Sequence, residues 1–290
     1  MAKNDLLCSK QHGFVRGRST LTNLLESLND WTRNIDDKRS TVLIYVDFSK
    51  AFDVVQHDKL FIKLRAYGIC GTLLDWLINL FSKRSFSTKV SDLLSAVANL
   101  ISGVIQGSVI GPLMFLIYIN DLIALLNHYG VKVKLFAYDV KLYVKVINGV
   151  AVVELQRALA ALVQWAEDWQ LALSVDKCCM LCIGKDVVNR FSICDVPLPL
   201  VTFTRDLGIT VSQNLSFSQH ITGIVTKAHQ RANMIHRCFV SRNINLLVRA
   251  FTVYVRPLLE YNCEIWSPHL KQDINAIEQA QTVYKTITRF

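Results

Sequence analysis

Residues 131–146 read VKVKLFAYDVKLYVKV. Apolar and charged positions alternate on both sides of Ala137, Tyr138 and Asp139, the period-2 pattern of two half-buried strands folded back on a tight turn. A hairpin presents its tip to solvent or to a site, and this tip carries one carboxylate, Asp139, beside one phenol, Tyr138. Upstream, residues 41–46 (TVLIYV) are nearly all apolar and rich in β-branched side chains, as in a strand covered on both faces. That strand runs directly into Asp47, so a second carboxylate stands at the end of a buried strand. Strand-end and hairpin-tip carboxylates can meet in space and hold hard divalent cations, which prefer oxygen ligands. Two such ions about 3.5–4 Å apart stabilise both oxygens of an in-line phosphoryl displacement.

Between these carboxylates lies SGVIQGSVIG (102–111), with three glycines in ten residues, where the backbone is exposed or tightly turned. Pro112 opens the strongly apolar helix 113–126, at a position where its missing N–H costs nothing. Earlier in the chain, Ser19 and Thr20 can cap a helix whose apolar face is Leu21, Leu24, Leu25, Leu28, Trp31 and Ile35. Asp58 can cap a short helix ending at Gly68. The helix 73–81 points Leu73, Trp76, Leu77, Leu80 and Phe81 inward, and 82–100 reads as a hairpin or loop.

After the hairpin, residues 153–169 form a long amphipathic helix, followed by strands at 178–183, 191–194 and 200–211. From Ser218 the pattern is helical, with Ile221, Ile224, Val225, Ala228, Ala232, Ile235 and Phe239 on one face. A helix over 246–261 kinks at Pro257, and Ile274, Ile277, Tyr284 and Ile287 mark a last one. A soft boundary falls near residue 215.

A chain of 290 residues can bury a sizeable core in one large or two smaller domains. With 51% hydrophobic and 19% charged residues it is globular rather than disordered. The net charge of +9 suits a polyanionic partner, and residues 219–290 hold nine Lys and Arg against four acids, so most of the excess sits on the helical tail. There is no signal peptide, so the eight cysteines read as reduced intracellular thiols. Cys179 and Cys182 form a C-x-x-C, but on a strand they point to opposite faces, which is poor for chelation. The most apolar run, 109–119, is too short to span a bilayer, so no membrane partner is expected.

The motifs YVDFSKAFDVVQHDKL (45–60), SGVIQGSVIGPLMFLIYINDL (102–122) and FAYDVKLY (136–143) resemble successive palm motifs of reverse transcriptases from non-LTR (LINE-like) retrotransposons, nearest to the jockey type. QHGFVRGRSTLTNLLE (11–26) is similar to a fingers segment of that family. LALSVDKCCMLCIG (171–184) and RDLGITVSQNLSFSQHI (205–221) resemble its late palm and primer grip, and YVRPLLEYNCEIWSPHL (254–270) the helical region that follows.

The resemblance implies an α+β, right-hand polymerase fold. It would consist of partial fingers (1–40), a palm with an antiparallel sheet and catalytic hairpin (41–215), and a mostly helical thumb-like region (216–290). It implies RNA-directed DNA synthesis from deoxynucleotides by a two-metal mechanism using Mg²⁺ or Mn²⁺, with an RNA template and a DNA primer as partners. Asp47 and Asp139 are the implied catalytic and metal-binding carboxylates, with the backbone carbonyl of Phe48 as a further ligand. Phe52 corresponds to the aromatic gate against the ribose 2′-hydroxyl. Gln106 and Gly107 correspond to the lining of the nucleotide pocket. Lys177 corresponds to the late-palm lysine that contacts the triphosphate or protonates pyrophosphate. Arg16 and Arg18 lie in the fingers segment without an assigned role, and Asp53 and Asp121 read as structural hydrogen-bonding carboxylates.

Two departures from the family pattern stand out. The hairpin tip reads Phe136–Ala137–Tyr138–Asp139 where the family has F/Y-A-D-D, so Tyr138 occupies the position of the first Asp. A phenol with a pKa of about 10 is neutral at pH 7 and offers no charged oxygen to a cation. The chain also opens just before the QHGF segment, so the resemblance implies an N-terminally truncated polymerase lacking the earlier fingers motifs and the endonuclease domain of intact elements. The expectation is therefore a polymerase with impaired or lost activity. The alternatives are a catalytically dead nucleic-acid-binding domain, or a translated remnant without function. A nuclear location is implied for the ancestral protein.

Overall fold

Five strands form the central sheet in the order β11 (Leu200–Val201), β8 (Cys179–Ile183), β1 (Thr41–Val46), β7 (Asp139–Lys145) and β6 (Lys132–Phe136), with β1 in the middle. The structure, a computed structural model, describes residues 6–185, 190–241 and 243–287, the last five by backbone alone. Contacts divide it into two units, residues 1–23 with 31–201, and residues 24–30 with 202–290.

The helix α1 (Thr20–Asp36), whose residues 24–30 are grouped with the second unit, begins with a capping box between Ser19 and Thr22. Its buried row is Asn23, Leu24, Ser27 and Trp31, whereas Leu25 and Ile35 are exposed. The apolar face read from sequence is thus displaced, because Asn23 is drawn inward to donate to the Leu135 carbonyl at 3.0 Å. After β1 come α2 (His57–Ala66) and α3 (Gly71–Phe81). Asp58 lies inside the first turn of α2 and does not cap it; the cap position is Gln56, without a side-chain bond. In α3 the inward residues are Leu74, Leu77 and Phe81, while Leu73 and Trp76 are more than half exposed. A rotation of one residue separates this face from the expected one.

The segment that follows is two nested two-residue ladders, β2 (Ser85–Phe86) with β5 (Ala98–Asn99) and β3 (Lys89–Val90) with β4 (Leu93–Leu94). Next, α4 (Gly111–Asn127) carries Pro112 in its first turn and ten buried residues, so it is covered nearly all round. The hairpin follows as β6 (Lys132–Phe136) and β7 (Asp139–Lys145), joined by the two-residue loop Ala137–Tyr138. α5 (Gly149–Asp168) and β8 (Cys179–Ile183) come next. β9 (Ser192–Ile193) pairs with β10 (Val196–Pro197), and β11 (Leu200–Val201) lies parallel to β8.

Val42, Ile44 and Val46 of β1 stand opposite Val144, Leu142 and Val140 of β7. These six join one core cluster with Phe115 and Ile119 of α4 and Leu155, Leu159 and Leu162 of α5. Each fully buried aliphatic side chain contributes about 1.5–3 kcal/mol. The hairpin is not half-buried as its alternation suggests. Lys134 and Lys141 face each other across β6 and β7 and are both 4% exposed. Trp31 covers that second face, its ring edge-to-face with Tyr143 at 6.1 Å and 5.4 Å from the Lys141 ammonium.

The helices α2, α4 and α5 are joined by one buried cation. Lys63 pairs with Asp121 at 2.6 Å, donates to the Tyr118 carbonyl and sits 3.6 Å from the Trp169 ring. The rings of Tyr118 and Trp165 are each 5.1 Å from the same ammonium.

In the second unit, the expected strand 200–211 is interrupted: beyond β11 it becomes the hairpin β12 (Phe203–Asp206) and β13 (Ile209–Ser212), turning at Leu207 and Gly208. Both turn residues have positive φ, as a two-residue hairpin loop favours. The helices are α6 (Ser218–Cys238), α7 (Ile244–Tyr254), α8 (Arg256–Glu260), α9 (Cys263–Trp266) and α10 (Lys271–Ile287). The expected helix 246–261 is broken at Val255 rather than kinked, with Pro257 in the first turn of α8. Ala228, Ala232 and Ile235 of α6 pack with Leu247 and Ala250 of α7, Leu259 and Ala280. The side chains of Tyr284 and Ile287 lie outside the described residues.

Candidate active site

Strand register decides which side chains meet at the end of β1. The last β1–β7 pair is Val46 with Val140, so the next residues in line are Asp47 and Asp139. The last β1–β8 pair is Tyr45 with Cys179, and the chain ahead of β8 is a single 3-10 turn, Val175–Lys177, ending at Lys177. β7 and β1 thus deliver Asp139 and Asp47 side by side, and the turn ahead of β8 brings the Lys177 ammonium 2.9 Å from Asp47 Oδ2. The pairing continues past β1 as a bridge of Phe48 with Leu173. Its hydrogen bonds run from Ser49 N to Ala172 O and from Ser174 N to Asp47 O, both 2.8 Å, so neither uses the Phe48 carbonyl.

Asp47, Phe48, Phe52, Tyr138, Asp139 and Lys177 line a single cavity of about 590 Å³. The Gly-rich loop lines the same cavity, with Gln106 and Gly107. That loop is held along residues 52–55 by bonds from Gly103 N to Val55 O and from Val104 N to Phe52 O, both 2.8 Å. A Cβ on Gly103 would lie 2.8 Å from the Asp53 carbonyl oxygen, so only glycine fits there. Gln106 Nε2 donates to Asp53 Oδ1 at 2.5 Å, and Asp121 pairs with Lys63 away from the cavity. Arg18 donates to His12 Nε2 at 3.2 Å, and neither Arg16 nor Arg18 lines the cavity.

Phe52 is held by rings on three sides, from Phe115 at 4.6 Å, Tyr138 at 5.7 Å and Phe14 at 6.1 Å between centroids. The Tyr138 contact is edge-to-face. Burial raises the Tyr138 phenol above its usual range, the carboxylates of Asp139 and Asp47 raise it further, and Lys177 opposes them. It is a neutral hydroxyl at physiological pH. The hydrogen bond to Asp47, with that carboxylate's charge, raises the Lys177 ammonium and keeps it charged.

A two-metal centre needs more anionic oxygens than this cavity offers. It holds two carboxylates in the row, one of which already has an ammonium as counter-ion, and its third carboxylate, Asp53, accepts from Gln106. Among the described residues there is no group of three or more His, Cys, Asp or Glu that could hold a metal ion. The neutral Tyr138 phenol supplies no charge. The residues present therefore do not fit a pair of divalent ions.

Sequence reasoning missed the N-terminal strap. Gln11, 2% exposed, accepts from Ala137 N at 2.9 Å and donates to Ala137 O at 3.2 Å. Gln11 also bridges in parallel to Leu135, and His12 N donates to Leu135 O at 2.9 Å. A Cβ on Gly13 would lie 2.3 Å from Ala137 N. The one local signal was an alanine at a tight turn, a place where glycine is preferred.

The central sheet with a carboxylate row at one end and a helical C-terminal unit is that of an α+β, right-hand polymerase. Its fold is similar to that of apo telomerase from Candida tropicalis, with a TM-score of 0.58 over 99% of this chain and 49% of that one at 10% identity. The family described as reverse transcriptase (RNA-dependent DNA polymerase) matches residues 1–231, and the chain belongs to it. It is similar to the "probable RNA-directed DNA polymerase from transposon BS" of Drosophila melanogaster, 27% identical over 97% of this chain and 32% of that protein. It is also similar to the RNA-directed DNA polymerase from the mobile element jockey of the same organism, 26% identical over 96% of this chain and 31% of that protein. The chain thus spans about a third of the length of these relatives. Among the described residues no helix is long and apolar enough to cross a membrane.

Proposed function

We propose that the cavity at the end of β1 is the nucleotidyl-transfer site of a non-LTR retrotransposon reverse transcriptase domain, with its activity curtailed by Tyr138. The observation that carries the reading is the row Asp139–Asp47–Lys177, with the two carboxylates set by register and the lysine by its ion pair, and a neutral phenol beside it. In this reading Asp47, Asp139 and the Phe48 carbonyl are the donors that would remain toward a Mg²⁺ or Mn²⁺ ion, short of the set a pair of ions needs. The ring of Phe52 excludes a ribose 2′-oxygen, and Gln106 and Gly107 bound the place of the incoming deoxynucleotide. Lys177 meets the triphosphate or the departing pyrophosphate. Residues 1–40 act as partial fingers, 41–215 as palm and 216–290 as a thumb-like region, on an RNA template and DNA primer, with a nuclear site for the ancestral protein.

Primer extension on an RNA template, with Mg²⁺ and with Mn²⁺, tests this. Loss of several kcal/mol of transition-state stabilisation slows chemistry about a thousandfold or more, so the Tyr138→Asp variant should exceed the native chain by about that factor. Comparable rates in the two would refute the role given to Tyr138. Absence of extension in both would refute the assignment of this cavity.

A second reading, nucleic-acid binding without catalysis, is favoured by the excess of nine basic over four acidic residues in 219–290. Charge neutralisation of phosphates needs no metal site. Filter binding of a primer–template across a salt series should then show affinity falling steeply with salt, and a flat dependence would exclude it.

A further inference from the structure

The tip of the β6–β7 hairpin is strained, and what relieves the strain comes from outside the hairpin. Ala137 sits at φ +56, in the left-handed region that side chains other than glycine rarely adopt. The ladder closes at Phe136 with Asp139, so neither the N–H nor the C=O of Ala137 has a place in it. Both groups go to one side chain. Gln11 Oε1 accepts from Ala137 N at 2.9 Å, and Gln11 Nε2 donates to Ala137 O at 3.2 Å. The same Oε1 accepts from Gly13 N at 2.8 Å, which fixes the carboxamide plane. Gly13 then lies against the turn so closely that a single added carbon would collide with its backbone. The next two residues beyond this clamped peptide, Tyr138 and Asp139, are those that line the cavity.

We infer that Gln11 is a positioning residue for the hairpin tip: its carboxamide fixes the rotation of the Ala137 peptide and so sets where Tyr138 and Asp139 stand relative to Asp47. The inference rests on the reading of the cavity proposed above. A strained turn kept only by an over-determining contact is a device found where side-chain placement matters. Gln11 touches none of the reacting groups and works through three hydrogen bonds to backbone. Leucine at this position fills similar volume and leaves all three partners unpaired. Glutamate keeps both acceptor bonds and loses the donor to Ala137 O.

The test uses the full chain with 3-fluorotyrosine at position 138, read by ¹⁹F NMR, in native, Gln11→Leu and Gln11→Glu forms, with circular dichroism confirming the fold. The native chain should give one fluorine line. Gln11→Leu should displace or split it, and Gln11→Glu should displace it less. An unmoved line in a folded Gln11→Leu chain overturns the inference. Should that variant not fold, an unmoved line in Gln11→Glu overturns it equally. A second arm measures Mn²⁺ affinity by electron paramagnetic resonance in the Tyr138→Asp background. Adding Gln11→Leu there should weaken Mn²⁺ about tenfold, as loss of a supporting hydrogen bond around a metal site does. Unchanged affinity, with only a lowered melting temperature, would make Gln11 merely structural and overturn the inference. No Mn²⁺ binding by Tyr138→Asp itself would instead remove the proposed function, and the fluorine line would still decide the role of Gln11.

Discussion

Lys63 offers the most quantitative test of how the first unit is held together. Its side chain is 6% exposed, among Tyr118, Trp165 and Trp169, with Asp121 at 2.6 Å as its counter-ion. Burial pulls the ammonium down from 10.5 to about 8, against the opposing pull of Asp121. A depression of that size corresponds to about 3 kcal/mol favouring the neutral form. The ring faces return about 1–2 kcal/mol of this to the cation. The charge therefore costs the folded state about 1–2 kcal/mol at pH 7. Because the folded pKa lies below the unfolded one, stability rises as the pH climbs from about 8 towards 10.5, where the unfolded chain still binds the proton. Lys63→Met keeps the apolar stem, removes the charge and leaves Asp121, whose side chain is 46% exposed, to water. The variant should be more stable at pH 7 by about 1–2 kcal/mol, the outcome often found when a buried ion pair becomes apolar. The assay is urea denaturation followed by circular dichroism at pH 7 and pH 10, native against variant. The difference between the two proteins should shrink towards zero at pH 10. A Lys63→Met protein destabilised by more than about 2 kcal/mol at pH 7 would refute this reasoning, and would show that the ion pair outweighs the desolvation.

His220 is buried beside Trp266 and accepts from Thr210 N, and burial lowers its pKa to about 4, with Lys227 and Arg205 adding to the effect. Its folded pKa lies below the unfolded value of about 6.5, so its contribution is complete above that pH and is lost as pH falls towards 4. Melting temperatures at pH 7 and 4.5 should differ less in His220→Phe than in the native chain. Gly13→Ala forces its Cβ to 2.3 Å from Ala137 N, and should destabilise the first unit by about 1–3 kcal/mol in chemical denaturation. In the Tyr138→Asp background, Phe52→Ala should raise ribonucleotide incorporation relative to deoxynucleotide, measured by competitive primer extension. An unchanged ratio would remove the role proposed for that ring.

Local periodicity is legible wherever one face of an element decides its burial. The strand at 41–46, the hairpin at 131–146, the apolar helix after Pro112 and the helical run from Ser218 are all of this kind. It misleads where a polar side chain has a distant partner. Asn23 turns inward on α1 to reach Leu135, and Lys63 turns inward on α2 to reach Asp121, so a hydrophobic count mistakes or omits those positions. Lys134 and Lys141 look like the solvent face of the hairpin and are covered instead, because Trp31 packs on that side.

For the cavity, the sequence by itself determined the chemical inventory: two carboxylates at strand ends, a phenol at the hairpin tip, a lysine before β8 and a glycine-rich loop. It could not say that Asp47 shares a row with both Asp139 and Lys177, because that follows from the pairing of β1 with β7 and from the turn ahead of β8, segments separated by many residues in the chain. Nor could it say that Gln11 holds the tip 126 residues away. Sequence pattern reports which face of a segment is apolar. The tertiary structure alone decides which segments lie side by side, and hydrogen-bond register then fixes which side chains share an end.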